Sequence, residues 1–331
     1  MFKHPAARLG TLCVTLAACG SSESPDFTGP EVTPAAIEAI WASKHSLSAS
    51  HLAARAGAVD DIIYLVGGTN SSKETVGTVR AYTIATNTWS YETALPSPRS
   101  AVNGVSVIGG KLYVSGGFDD NGVPARTLYV YNRVTDHWTK RADMPAGGAC
   151  GSQGVIAGKL YVYTRGGGSC SGAHAFYRYD PGTNKWTLRA APPSLHLSAV
   201  SGVIAGKFYL AGGGANKTFV PSYALHVYTP ATNSWATRAS LPGRHQDAAG
   251  AALKGKLYLA GGADYFAAGS PPIGTLRVYD PATNSWATKV PMPTPRHSAA
   301  GINAGGALWV ISGWASTGRS TKVEMYEPYI P

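Results

Sequence analysis

Charge is scarce in this chain of 331 residues: Asp, Glu, Lys and Arg together make up 14% of it, and only 18 side chains are acidic. With 44% hydrophobic residues, such a chain carries the apolar content of a folded domain and not of a disordered segment. Cysteine and methionine occur four times each and phenylalanine seven times, and no helix-rich composition is present. Nothing resembles a nucleic-acid-binding motif, so no nucleic-acid partner is expected. Histidines never fall at His-x-x-His or His-x-His spacing, so neither a metal nor another cofactor is expected. Phosphate loops are excluded as well. None of the Gly-Lys pairs at 110–111, 158–159, 206–207 and 255–256 is followed by Ser or Thr, and "GGGSCSG" (166–172) does not join a strand to a helix.

What the chain does hold is 40 glycines, 22 prolines and 18 tyrosines, the composition of many short strands joined by tight turns. The fold class is all-β. Residues 1–18 read as a signal peptide: Lys3 and Arg8 precede the apolar run "LGTLCVTLA" (9–17), which is too short to cross a bilayer. The run ends in Leu16-Ala17-Ala18-Cys19, which resembles the lipobox of bacterial lipoproteins and implies lipidation of Cys19. The following Ser, Pro and Gly place a flexible lipidated tether at 19–35. The expected location is therefore the bacterial cell envelope, periplasmic or outer surface, with membrane contact through the lipid anchor only. Loss of residues 1–18 removes two of the 28 basic residues and none of the acidic ones, leaving a charge of +8, which favours an anionic partner.

Tryptophans recur at positions 41, 89, 138, 186, 235 and 286, spaced by 48, 49, 48, 49 and 51 residues, so residues 36–331 form one repetitive domain. Between them recurs an apolar strand ending in paired glycines: "IIYLVGG" (62–68), "KLYVSGG" (111–117), "KFYLAGG" (207–213) and "KLYLAGG" (256–262). Two copies are degraded, at 159–168 and 307–313. Each period accommodates four strands, and a lone four-stranded sheet cannot bury both faces. The di-glycine, the Tyr-Asp-Pro of "YDPGTNKW" (179–186) and "YDPATNSW" (279–286), and the following Trp resemble the Kelch repeat. That resemblance implies a six-bladed Kelch-type β-propeller. Its last copy runs out after "STKVEMYEPYIP" without a Trp strand, so the N-terminal strand around Trp41 is expected to close the last blade.

Function is sought where loops converge. Ten residues after each Trp stand His51, Arg99, Gly148, His196, His245 and Arg296, with Asp247 and His297 close by. Six-fold arrangement places these around one channel mouth, where a basic ring would hold an anionic ligand. The variable loops add Asp264, Tyr265, Trp314 and Arg319, a set suited to a sugar or peptide. Cys150 and Cys170 are left as an even pair in an oxidising compartment and are expected to form a disulfide. The expected function is a monomeric, lipid-anchored propeller that binds a glycan or protein ligand at the channel mouth. The alternative is a carbohydrate-active enzyme, because six-bladed Kelch proteins of the periplasm include sialic acid mutarotases, with His245 and Asp247 as acid/base candidates. Galactose-oxidase-like copper chemistry is not expected of a chain that is one blade short of that pattern.

Overall fold

Each repeat folds into a four-stranded antiparallel sheet, and six such sheets form the blades of a propeller in the computed structural model, which describes residues 40–214, 222–264 and 271–328. The signal and tether segments, Cys19 and Tyr265 lie outside the described residues. Blade 1 runs from the innermost strand Arg55–Val59 through Ile62–Val66 and Val79–Thr83 to the outermost Thr88–Glu92. The innermost strands of blades 2 to 6 are Gly104–Ile108, Ala149–Ile156, Val200–Ile204, Ala249–Leu253 and Ala300–Ala304. These six strands neighbour one another in sequence order, and the sixth returns to the first.

Blade 6 takes its outermost strand from the other end of the chain. Ile40–Lys44 pairs antiparallel with Val323–Glu327, with Trp41 opposite Tyr326. The same local chemistry that builds the other blades operates at this junction. In each blade the outer Trp donates its indole N–H to a backbone carbonyl of the connection before it: Trp89 to His45, Trp138 to Thr93, Trp186 to Ala142, Trp235 to Ala190 and Trp286 to Ala239, at 2.7–2.9 Å. Trp41 does this to Val290 at 2.9 Å. The closing strand is thus held as the other five are, and no open sheet edge remains between first and last blades.

Tyrosines of the third strands fix the turns to the fourth. Tyr179, Tyr228 and Tyr279 donate to Asn184, Asn233 and Asn284 at 2.7, 2.8 and 2.7 Å, and those asparagines sit in the left-handed region that Asn tolerates. The apolar residues of every sheet are buried against the next blade. One cluster joins Tyr64, Val66 and Val79 of blade 1 to Val105, Leu112 and Val114 of blade 2, and another joins Ile63 and Leu65 to Trp309 and Ile311 of blade 6. Stacking therefore supplies the burial that a single blade lacks.

Candidate functional site

The loops between second and third strands and those between blades share one face. There the chain enters each innermost strand through a residue in the left-handed region: Ala53, Ala101, Cys150, Ser198, Asp247 and Ser298, with φ between 48° and 54°. None is glycine, so each repeats a conformation that costs an L-residue roughly 1–2 kcal/mol. What compensates is a belt of backbone hydrogen bonds from blade to blade. Ala53 N donates to Ser298 O, Ala101 N to Ala53 O and Cys150 N to Ala101 O at 3.1 Å each, while Ser198 N reaches Cys150 O at 2.9 Å and Ser298 N reaches Asp247 O at 2.8 Å. This belt is the rim of the central channel. Below it lies a cavity of about 360 Å³ lined by the innermost strands, with Arg55, Asn103, Ser106, Ser152, Gln153, Ser201 and Asn303 as its polar residues on five of the six blades.

The ring that the Trp register places at the mouth sits elsewhere. His51, Arg99, His196, His245 and Arg296 are all buried, none more than 7% exposed. Arg99 donates to Ser97 Oγ and Pro98 O of its own loop, and the three histidines turn into the blades, where the di-glycine bend brings a backbone carbonyl beneath each. His51 Nδ1 meets Gly67 O at 3.2 Å, His196 Nδ1 meets Gly212 O at 2.9 Å and His245 Nδ1 meets Gly261 O at 2.9 Å. The bend in turn requires glycine: at Gly261, φ is +71° and a Cβ would lie 2.4 Å from Arg296 O. Blade 3 solves the same packing in reverse, for Gly148 occupies the ring position and Thr164 fills the space, its Oγ1 only 2.0 Å from where a Cβ on Gly148 would be.

Under the ring lies a second polar layer that the Trp register does not reveal. His196 Nε2 and His226 Nδ1 are 2.7 Å apart, and Arg296 Nη1 and Glu324 Oε2 are 2.6 Å apart, with Glu324 1% exposed. Arg296 also donates to Thr294 O and Val310 O. Arg80 stands at the same position of blade 1, lowering the pKa of His51 after burial itself, and Arg277 does so for His245 in blade 5. The sequence signal is the second residue of the third strand, "VRAYT", "LHVYT", "LRVYD" and "VEMYE", polar in an otherwise apolar segment. Burial pulls the imidazole of His196 down to about 3, and lowers His51, His226 and His245 below the usual histidine range. These histidines are neutral struts. His245 in particular has no access to a substrate at the rim.

Other residues do gather at the mouth. Asp247 is on the rim, and its charge acts on both Arg55 and His297, although for each the larger influence is burial, which lowers its pKa. His297 pairs with Trp314, and Trp314 with Arg319, in a small sheet of Arg296–His297, Trp314–Ala315 and Gly318–Arg319. Trp314 is 39% exposed there. Arg319 donates to Thr69 O at 2.9 Å and so fastens the loops of blades 6 and 1 together. Asp264 accepts from Arg244 at 2.9 and 3.2 Å on the rim of blade 5. Arg55 and Gln246 carry no repeat signal and were not legible as site residues. Gln246 is 1% exposed, and its carboxamide finds no hydrogen-bond partner among the described residues. Cys150, on the rim itself, is joined to Cys170 by a disulfide with Cα atoms 6.2 Å apart. Among the described residues no group of three or more His, Cys, Asp or Glu could hold a metal ion.

Comparison with known proteins agrees with this architecture. The model of the KLHDC2/KLHL20/DRC7 Kelch-repeats domain matches residues 50–249, and that of the Kelch motif matches residues 244–293. Kelch-like protein 36 of Bos taurus is 28% identical over 112 residues, covering 32% of this chain and 18% of its own length. An F-box/kelch-repeat protein of Arabidopsis thaliana, At1g22040, is 37% identical over 92 residues, covering 27% of this chain and 19% of its own. The chain thus spans under a fifth of the length of these relatives. The solved structure of YjhT shares the fold, with a TM-score of 0.70 at 17% identity over 84% of this chain and 95% of that one. Repeat, blade and family match coincide over most of the described residues, and the chain belongs to the Kelch-repeat family.

Proposed function

We propose that this chain is an exported, lipid-anchored propeller whose channel mouth binds a carboxylate-bearing glycan. The observation that carries the reading is the grouping of Arg55, Asp247 and His297 at one sector of the rim, with the half-exposed indole of Trp314 on the adjoining sheet. Arg55 offers charge-assisted hydrogen bonds to a carboxylate, Trp314 a flat face for a sugar ring, and Asp247 an acceptor for hydroxyls. Export and anchoring through Cys19 are supported by the apolar run that precedes it and by the Cys150–Cys170 disulfide, which suits an oxidising compartment.

The test is a glycan array probed with the chain from residue 36, followed by calorimetric titration of the strongest acidic glycan. Binding that disappears in Arg55→Ala supports the proposal, and preference for neutral glycans contradicts it. The proximity of Asp247 to His297, a carboxylate beside an imidazole that burial keeps neutral, favours a carbohydrate-active enzyme as the second reading. Proton NMR of the bound sugar's anomers separates the two: accelerated interconversion, lost in Asp247→Asn, establishes the enzyme.

A further inference from the structure

The chain enters the propeller at Ile40, and the register of that strand says on which face. Ile40 lies opposite Glu327 and Lys44 opposite Val323, so the strand begins at the end of the blade where its third strand finishes. The other outermost strands begin at the same end, directly after the turns that hold left-handed Asn87, Asp136, Asn184, Asn233 and Asn284. This is the turn face, opposite the rim. Lys254, on a turn between first and second strands, confirms the placement by donating to Pro328 O at 3.1 Å, one residue beyond the last strand. Only 20 residues lie between Cys19 and Ile40. A chain of that length reaches at most roughly 70 Å.

The turn face also carries an uneven charge. Lys159 is paired with Asp180 at 2.6 Å and Lys256 with Asp280 at 2.8 Å, and Arg133 is paired with Asp60. Asp136 accepts from Tyr131 and Thr93. Set apart from these are Lys111, Lys185, Lys207 and Lys254, one on each of blades 2 to 5 and none in a salt bridge among the described residues. The acids left over among the described residues, Asp61 and Glu327, fall on blades 1 and 6. An arc of four lysines therefore spans two thirds of the face through which the anchor segment arrives.

We infer that the turn face docks on the anionic headgroups of the membrane to which Cys19 anchors the chain, with the lysine arc as the contact, so that the channel mouth opens away from that membrane. This rests on the anchoring reading above. Its consequence is that ligands reach the mouth from the side facing away from the anchoring bilayer, and large glycans are not excluded by it.

The experiment uses the full acylated chain in vesicles of phosphatidylcholine with phosphatidylglycerol. Thr135→Cys on the turn face and Asn121→Cys in the blade 2 loop are labelled separately with a fluorophore, the native Cys150 and Cys170 being held in their disulfide. A headgroup-bound quencher should quench the label at 135 several-fold more than that at 121. Equal quenching, or more at 121, overturns the proposal. Replacing Lys111, Lys185, Lys207 and Lys254 with Glu in the unacylated Cys19→Ser chain should lower partition onto the same vesicles by at least about tenfold at low salt, and equal partition also overturns the contact. Mass spectrometry of residue 19 in the wild-type chain decides the anchor separately. An unmodified Cys19 sinks the anchoring reading while the partition result still judges the lysine arc.

Discussion

Acid should unfold this propeller through the histidines that stand inside its blades, and His196 shows why. Its Nδ1 contacts a carbonyl, Gly212 O, so Nδ1 carries the proton, and Nε2 accepts from the Nδ1–H of His226. Protonating His196 at Nε2 sets two donors face to face in a fully buried space. The folded state therefore holds His196 near 3, against 6.5 for a free imidazole. The unfolded chain binds the extra proton between those limits, so stability rises with pH across the window and is lost as pH falls below about 6.5. From His196 alone, lowering the pH from about 7.5 to 5 should remove about 2 kcal/mol, and continuing to about 3.5 should remove about 4 kcal/mol. His51, His226 and His245, shifted the same way by burial, add to the loss. Urea denaturation at a series of pH values measures it, with NMR following the imidazole Cε1–H signals. The reasoning fails if the His196 resonance titrates in the folded protein with a midpoint near 6.5 while stability stays flat.

Arg296→Ala should cost about 3–5 kcal/mol in denaturant titrations, because it leaves Glu324 charged and buried without its partner; a change under about 1 kcal/mol would show that the pair is not held as described. At Gly261→Ala the added methyl meets Arg296 O and the left-handed φ is strained, so a loss of at least about 2 kcal/mol is expected, whereas Gly255→Ala, on an open turn with a similar φ, should lose clearly less. Reduction of Cys150–Cys170, which are 20 residues apart, should lower stability by about 3 kcal/mol on the chain-entropy account, read as a shift in the urea midpoint between oxidised and reduced protein. Removing the closing strand by starting the chain at residue 45 should lower the melting temperature sharply, while a start at residue 36 should leave it unchanged, since only the first construction deletes Trp41 and its bond to Val290 O.

The blades and their closure were legible because they are written in repeats: the Trp period, the di-glycine and the Tyr of the third strand each repeat one physical task from blade to blade, with two di-glycine copies degraded. Even the missing Trp at the C-terminal end could be matched to Trp41 by counting. The ring was misplaced for a definite reason. Register fixes how far along the repeat His51, His196 and His245 stand, but not which way their side chains turn, and the carbonyl exposed by each di-glycine bend draws the imidazoles inward. The rim itself was illegible, since Ala53 and Ala101 hold left-handed backbone that no alanine advertises. Arg55 and Gln246 were missed because each occurs once, and a repeat-based reading is blind to what one blade alone carries. Glu324, by contrast, stood in plain register with Arg80, His226 and Arg277.

The division between struts and site is tested most directly by measuring binding and stability together on Arg55→Ala and Arg296→Ala, using the strongest acidic glycan from the array and calorimetry at neutral pH. The account predicts that Arg55→Ala weakens binding by about 1.5–3 kcal/mol, roughly 10- to 150-fold, with its urea midpoint unchanged, and that Arg296→Ala is destabilised but binds normally where still folded. Wild-type affinity in Arg55→Ala, together with lost binding and an unchanged urea midpoint in Arg296→Ala, would contradict it.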